Sequence, residues 1–195
     1  MNIEARFSGQ PEVEGIQPKF SAEAVELLVG TVGRNEDGAN YRIGYSREET
    51  LGEFYPQQSE QDHLVLHAPR DNKAVVLGYS ISATGEEPRI VVNFVQKARR
   101  ASMTEAKRAM PGTHPYEFLV AKFLERIKPI LELRPETEVT LAGERSMNDD
   151  SLTNRTYNPI RDRFFGKDWR LSLDKTRVRE ILGDELIEKM RGARR

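Results

Sequence analysis

KAVVLGYSISA at Lys73–Ala83 and RIVVNF at Arg89–Phe94 are two long apolar runs separated only by the polar segment Thr84–Pro88. Val, Ile and Tyr suit a pleated, half-buried surface, and Gly85 and Pro88 punctuate the gap, so the stretch predicts a pair of long strands joined by a short turn. Its place in the chain decides the fold. Two short helical patterns precede it, and a strong helix, a lone strand, another helix and a last strand follow it.

Upstream, Asn2–Phe7 alternates, with Ile3, Ala5 and Phe7 on one face, and predicts a first strand. Ser21 is a candidate N-cap, after which Ala22, Val25, Leu28, Val29 and Val32 recur at helical spacing as far as Gly33. Ser46 and Glu49 form a capping box ahead of Leu51, Phe54 and Tyr55, and Pro56 closes this second helix. His63–Ala68 predicts a strand, and Asp71-Asn72 a turn into the hairpin.

Downstream, an inserted segment near residues 99–112 holds another capping box, Ser102 with Glu105, for a short helix ending near Pro111. Pro115 then opens the strongest helix, striped by Tyr116, Leu119, Val120, Phe123, Leu124 and Ile127. Glu138–Ala142 predicts a strand, Leu152–Phe164 a helical region interrupted at Pro159, and Trp169–Leu173 a last strand. Asp174 caps a terminal helix over residues 174–192, whose stripe is Val178, Ile181, Leu182, Leu186 and Met190. Its arginine-rich end complements the negative helix pole. Docking on the chain's own sheet is the default for this stripe, with a homodimer contact as the alternative.

At 195 residues the chain is long enough to bury about two-thirds of its unfolded surface. No Ser/Gly-rich or Pro-rich linker divides it, so a single domain over residues 1–195 is expected. Thirty basic and 31 acidic residues leave a net charge of -1, which removes the global electrostatic case for a nucleic acid or an anionic membrane. The lack of cysteine excludes disulfides, thiolate catalysis and sulfur-ligated metal. No apolar run approaches membrane-spanning length, and MNIEARFSGQ has no export pattern, so a cytoplasmic protein is expected.

The three histidines are candidates for chemistry. His63 and His67 lie four residues apart, and on a strand that is roughly 13 Å, too far to share a metal bonded at ~2 Å. No metal site is expected from them. His114 precedes Pro115 at a helix cap, where the positive helix pole lowers its pKa and favours a neutral ring able to act as a base. A purely structural cap is the competing reading.

The order of elements resembles that of the GNAT superfamily of N-acetyltransferases over nearly the whole chain. LGYSIS at Leu77–Ser82 is similar to the family's third strand, with its Gly-Tyr pair, and DRFFGKDW at Asp162–Trp169 resembles its late aromatic-Gly turn. The resemblance implies a single α+β domain with a mixed, mostly antiparallel central sheet and helices on both faces. It implies acyl transfer from acetyl-CoA or another acyl-CoA to an amine, on a small molecule or a protein, without an acyl-enzyme.

In that family an Arg/Gln-x-x-Gly-x-Gly/Ala loop after the fourth strand offers N–H groups at a helix start to the coenzyme pyrophosphate. Here Val95–Arg100 reads VQKARR, no Gly-x-Gly follows, and the insertion separates strand from helix. By position, the resemblance assigns the coenzyme to Val95, Lys97, Arg99 and Arg100, with Gly112, Thr113 and His114 at the helix start and Lys107 and Arg108 adding charge. A solvated basic helix is the alternative. For acid–base work it implies a carboxylate and a tyrosine, for which Glu144 and Tyr157 stand in the right regions. The family's tyrosine position falls on Asp162, so Tyr157 matches in region alone. A catalytically inactive GNAT-like module serving protein interaction or regulation is the second expectation.

Overall fold

A computed structural model of the chain describes residues 35–38, 41–47, 62–69, 72–82, 89–98, 100–110, 112–142 and 157–194. In chain order these form β1 (Glu36–Asp37), β2 (Arg42–Arg47), β3 (Asp62–Ala68), β4 (Asn72–Ser82), β5 (Arg89–Lys97), α1 (Arg100–Ala109), α2 (Pro115–Leu133), β6 (Glu138–Leu141), α3 (Asn158–Phe164), α4 (Thr176–Leu182) and α5 (Asp184–Ala193). The strands expected at Asn2–Phe7, the helices at Ser21–Gly33 and Leu51–Pro56, and the turns at Asp71 and Thr84–Pro88 lie outside the described residues, as does the stretch 152–156.

The two apolar runs form β4 and β5, the longest described strands, paired antiparallel as the fourth and fifth strands of a six-stranded sheet of order β1-β2-β3-β4-β5-β6. Every neighbouring pair is antiparallel except β5 and β6, which are parallel. A parallel pair needs a crossover, and α2 supplies it. The protein is thus α+β, with a mostly antiparallel open sheet.

Alternation along the strands divides the sheet into two faces. Leu64, Leu66, Leu77, Tyr79, Ile90, Val92, Val139 and Leu141 belong to the main core, while Val65, Val76 and Phe94 form a separate cluster on the opposite face. Over the main core, α1 and α2 pack on β3 and β4, and α3, α4 and α5 pack on α2. Helices on both faces were expected; among the described residues, these cover one. The α2 stripe is fully interior, with Leu119, Val120, Phe123, Leu124 and Ile127 at 0% exposure. Each such side chain contributes about 1.5–3 kcal/mol through burial.

Several expectations give way to the structure. Ser46 is not a helix cap; it sits in β2, paired with His63. Gly44 made that strand hard to see, and it leaves room for His67, whose Nε2 would lie 3.2 Å from a Cβ there. Ser102 is not a cap either, because α1 begins at Arg100 and buries Ser102 against the sheet with Met103 and Ala106. Pro159 does not interrupt α3 but stands in its first turn, where a missing N–H costs nothing.

Trp169–Leu173 is not a strand. Two isolated bridges, Thr140 with Arg170 and Phe165 with Leu171, replace it. The reason is the turn that Trp169 closes by donating its N–H to Gly166 C=O at 3.1 Å, with Trp169 itself at φ +61. The terminal helix is two helices. Gly183, at φ 86 and ψ 150, breaks it, and Lys175 rather than Asp174 occupies the first N-cap position. Asp174 instead accepts from Arg191 Nη2 at 2.6 Å. Val178, Leu182, Leu186 and Met190 are buried, so the stripe serves the chain's own core.

Candidate functional site

The parallel pairing of β5 with β6 is short. It runs from Arg89 opposite Glu138 to Val92 opposite Leu141, and Ala142 N–H closes it on Val92 C=O at 2.8 Å. On the other side of β5 the register slips at the same place: Gly78 faces Phe94 while Tyr79 faces Val92, leaving Asn93 as an extra residue. This bulge explains a spacing that regular alternation forbids, for Val92 and Val95 are three residues apart yet both fill the main core. The Asn93 amide is held on the opposite face by donating to Ser80 Oγ at 3.1 Å.

Beyond the bulge β5 continues to Lys97, paired with β4 alone among the described strands. Among the described residues no strand pairs with β5 past Val92 on its β6 side, and this stretch of edge is the notch. The Val95 side chain is buried, so Val95 can offer a ligand only its main chain, whereas Lys97 is exposed. Because α2 carries the chain from the end of β5 back to the start of β6, its N-terminus lies at the carboxyl end of β5, beside the notch. Ligand crevices in sheets with crossover helices form at this end of the strands.

At that N-terminus His114 is the N-cap, as expected. Its Nδ1 accepts the Tyr116 N–H at 3.4 Å, and the ring stacks on Tyr116 with centroids 5.0 Å apart. Burial, followed by the positive charge of Lys107, lowers the His114 pKa below its usual value, against an opposing pull from Glu117. The ring is neutral at pH 7, with its proton on Nε2. It can donate from Nε2, but acting as a base through Nδ1 would cost the helix its cap.

The same contacts occupy part of the donor set at the helix start. Pro115 has no N–H, the Tyr116 N–H is taken by His114, and the Thr113 N–H donates to Met110 C=O at 3.3 Å. Glu117 adds a carboxylate to the first turn and pairs with Arg163 at 3.5 Å. Gly112, at φ 84, turns the chain into α2 and is exposed, as is Thr113. Of the expected basic residues, Lys97, Arg100, Lys107 and Arg108 are all exposed. Arg99 and Glu144 lie outside the described residues.

Tyr157 stands at the start of α3, 5% exposed and within the core. Phe164 and Phe165 are also core residues, while Trp169 is half-buried with the Arg161 guanidinium 5.5 Å from its ring. β3 is a strand, so His63 and His67 stand along one face of it, with the His63 ring tilted against Phe94 at 5.7 Å. Among the described residues no group of His, Cys, Asp and Glu is arranged to hold a metal, and no helix is long and apolar enough to cross a membrane.

A cleft of about 320 Å³ lies elsewhere, lined by Asp162, Arg163, Lys175, Thr176, Arg177 and Glu180. Several of its charges are already paired, Arg177 with Glu180 at 2.9 Å and Asp162 with Arg161 at 3.0 Å, and it lacks an apolar wall. Ligand sites are mostly apolar with a few placed polar groups, so the notch is the better candidate.

Sequence reasoning missed the notch and the carboxylate of Glu117. The spacing of Val92 and Val95 was the available signal for the first, and the order Pro115-Tyr116-Glu117 for the second. Compared with protein-family models and with curated proteins, the chain matches none.

Proposed function

We propose that the chain is an N-acyltransferase of GNAT type, taking its acyl group from a thioester whose pantetheine arm lies along β5 in the notch. The observation that carries this function is the coincidence of two breaks: the described pairing of β5 with β6 ends at Val92, where the Asn93 bulge begins. Past that point the main chain of Val95 and Lys97 faces an edge with no described strand, and a pantetheine arm carries amides able to pair with it in the manner of an added strand. The helix α2 beginning beside the notch supports the same placement.

The transfer is direct, since no cysteine is present to hold an acyl-enzyme. The acceptor nitrogen, relieved of a proton by a base, attacks the thioester carbonyl; a C–N bond forms, the C–S bond breaks, and the departing thiolate takes up a proton. Glu144 is the proposed base and Tyr157 the proposed acid. His114 is a positioning residue at the helix start, through its cap on Tyr116.

A second function, a non-catalytic interaction module, is favoured by one observation: Pro115 supplies no N–H to the first turn of α2 and the chain itself engages that of Tyr116. Calorimetric titration with acetyl-CoA and with S-acetylpantetheine separates the two. Micromolar binding of either thioester favours the transferase, and absence of heat for both up to millimolar ligand, on a folded sample, favours the module.

A further inference from the structure

Between β5 and α2 the chain inserts α1, whose two sides differ sharply. Ser102, Met103 and Ala106 are buried against β3 and β4, while Arg100, Lys107 and Arg108 recur at helical spacing on the exposed side. Exposed Lys97 precedes them at the end of β5. None of these four forms an ion pair among the described residues, whereas basic residues elsewhere, such as Arg89, Lys122, Arg134 and Arg191, are paired with carboxylates. In a chain of net charge -1, this is a local surplus of positive charge. It reaches the start of α2, since Lys107 acts electrostatically on His114, and on β5 Lys97 is two residues from Val95.

The chemistry of the patch selects its partner. α1 carries no aromatic side chain on which a base could stack and no large exposed apolar residue to enter a bilayer. At the start of α2 the Thr113 and Tyr116 N–H groups are engaged by the chain and Pro115 has none, which leaves fewer donors for the diphosphate of a free coenzyme. A pantetheine arm attached to a protein has a single phosphodiester and arrives with a surface of its own. We infer that the exposed face of α1, with Lys97, docks an acidic carrier protein that presents the acyl group on a phosphopantetheine arm, an inference that rests on the acyl-transfer function proposed above. The amine acceptor then becomes the amide, and the carrier leaves with its thiol free and protonated.

The test measures binding of three probes to the full chain and to the surface variant Lys107→Glu/Arg108→Glu: an acidic acyl carrier protein bearing an acetylated arm, acetyl-CoA, and S-acetylpantetheine. The carrier is expected to bind more tightly than acetyl-CoA and to lose roughly tenfold or more in affinity on charge reversal or in high salt, and the charge-reversed variant is expected to regain affinity for a carrier whose acidic surface is replaced by a basic one. S-acetylpantetheine binding should be the same in both forms. Carrier affinity that is indifferent to charge reversal, or weaker than that of acetyl-CoA, would overturn the inference while leaving the transferase standing. Failure of S-acetylpantetheine to bind either form would instead remove the transferase function on which the docking depends.

Discussion

The Phe94 ring fills the space that a Cβ on Gly78 would occupy, so the two residues form one complementary pair across β4 and β5. Phe94 belongs with Val65 and Val76 to the smaller core cluster and meets Gly78 at the edge of the Asn93 bulge. The register break is therefore locked by packing as well as by hydrogen bonds. Gly78→Ala is expected to destabilise the protein by about 1–3 kcal/mol through overpacking. In urea denaturation the double variant with Phe94→Leu should lose less than the sum of the two single losses. Additive losses would show that ring and glycine do not constrain each other.

His114 is predicted to titrate below the unperturbed histidine range. Its pKa is lowered first by burial and then by Lys107. The stability this group contributes is present above the unfolded pKa near 6.5 and is lost as pH falls through the lower folded value. Imidazole proton shifts followed by NMR should show a midpoint under 6.5, and Lys107→Glu should move it upward. A midpoint at or above 6.5 in the native chain would contradict the buried, neutral cap.

Glu36 ties the β1–β2 ribbon to α2. It accepts from Tyr41 Oη at 3.0 Å, pairs with Lys122 Nζ at 3.0 Å and lies 3.5 Å from Arg126 Nη2. Burial opposes its ionisation, but the hydrogen bonds of Lys122 and Tyr41 and the charges of Lys122 and Arg126 prevail and lower its pKa. Its stabilisation is thus present above the ordinary carboxylate range and disappears as pH falls through the depressed value. With about a third of the side chain exposed, Glu36→Gln should cost on the order of 1 kcal/mol at neutral pH and flatten the acid limb of the stability curve. An unchanged acid limb in the variant would place the acid sensitivity in other groups.

Gly183 is held at φ 86 and ψ 150, between α4 and α5, a region that side chains rarely enter. Space is not the constraint there, since the nearest atom to an added Cβ is Lys128 Nζ at 3.9 Å. Gly183→Ala should therefore lower stability by about 1–3 kcal/mol through backbone strain alone. Chemical denaturation checks this. A neutral result would mean that α4 and α5 can join into one continuous helix.

The features written in local chemistry were legible in the sequence. β-Branched runs produced β4 and β5, and Pro115 at a first helical position marked the start of α2. What was not legible depended on partners distant in the chain. Gly44 weakens β2 as a strand pattern, while the close approach of His67 favours it. Trp169 alternates convincingly in sequence, and only the turn to Gly166 shows that it cannot be extended. The notch was hidden for the same reason, because the end of β6 opposite the bulge is a relation between strands. The cap by His114 was readable from its place before Pro115, but the bond from Thr113 N–H to Met110 C=O was not.

The most direct test of the central claim is to follow backbone amide signals while S-acetylpantetheine is added to the folded protein. The arm laid along β5 should shift the amides of Val95 and Lys97 first, with those of the distant Arg177–Glu180 surface unmoved. Saturable shifts confined to that distant cleft, or none up to millimolar ligand, would contradict a thioester site in the notch.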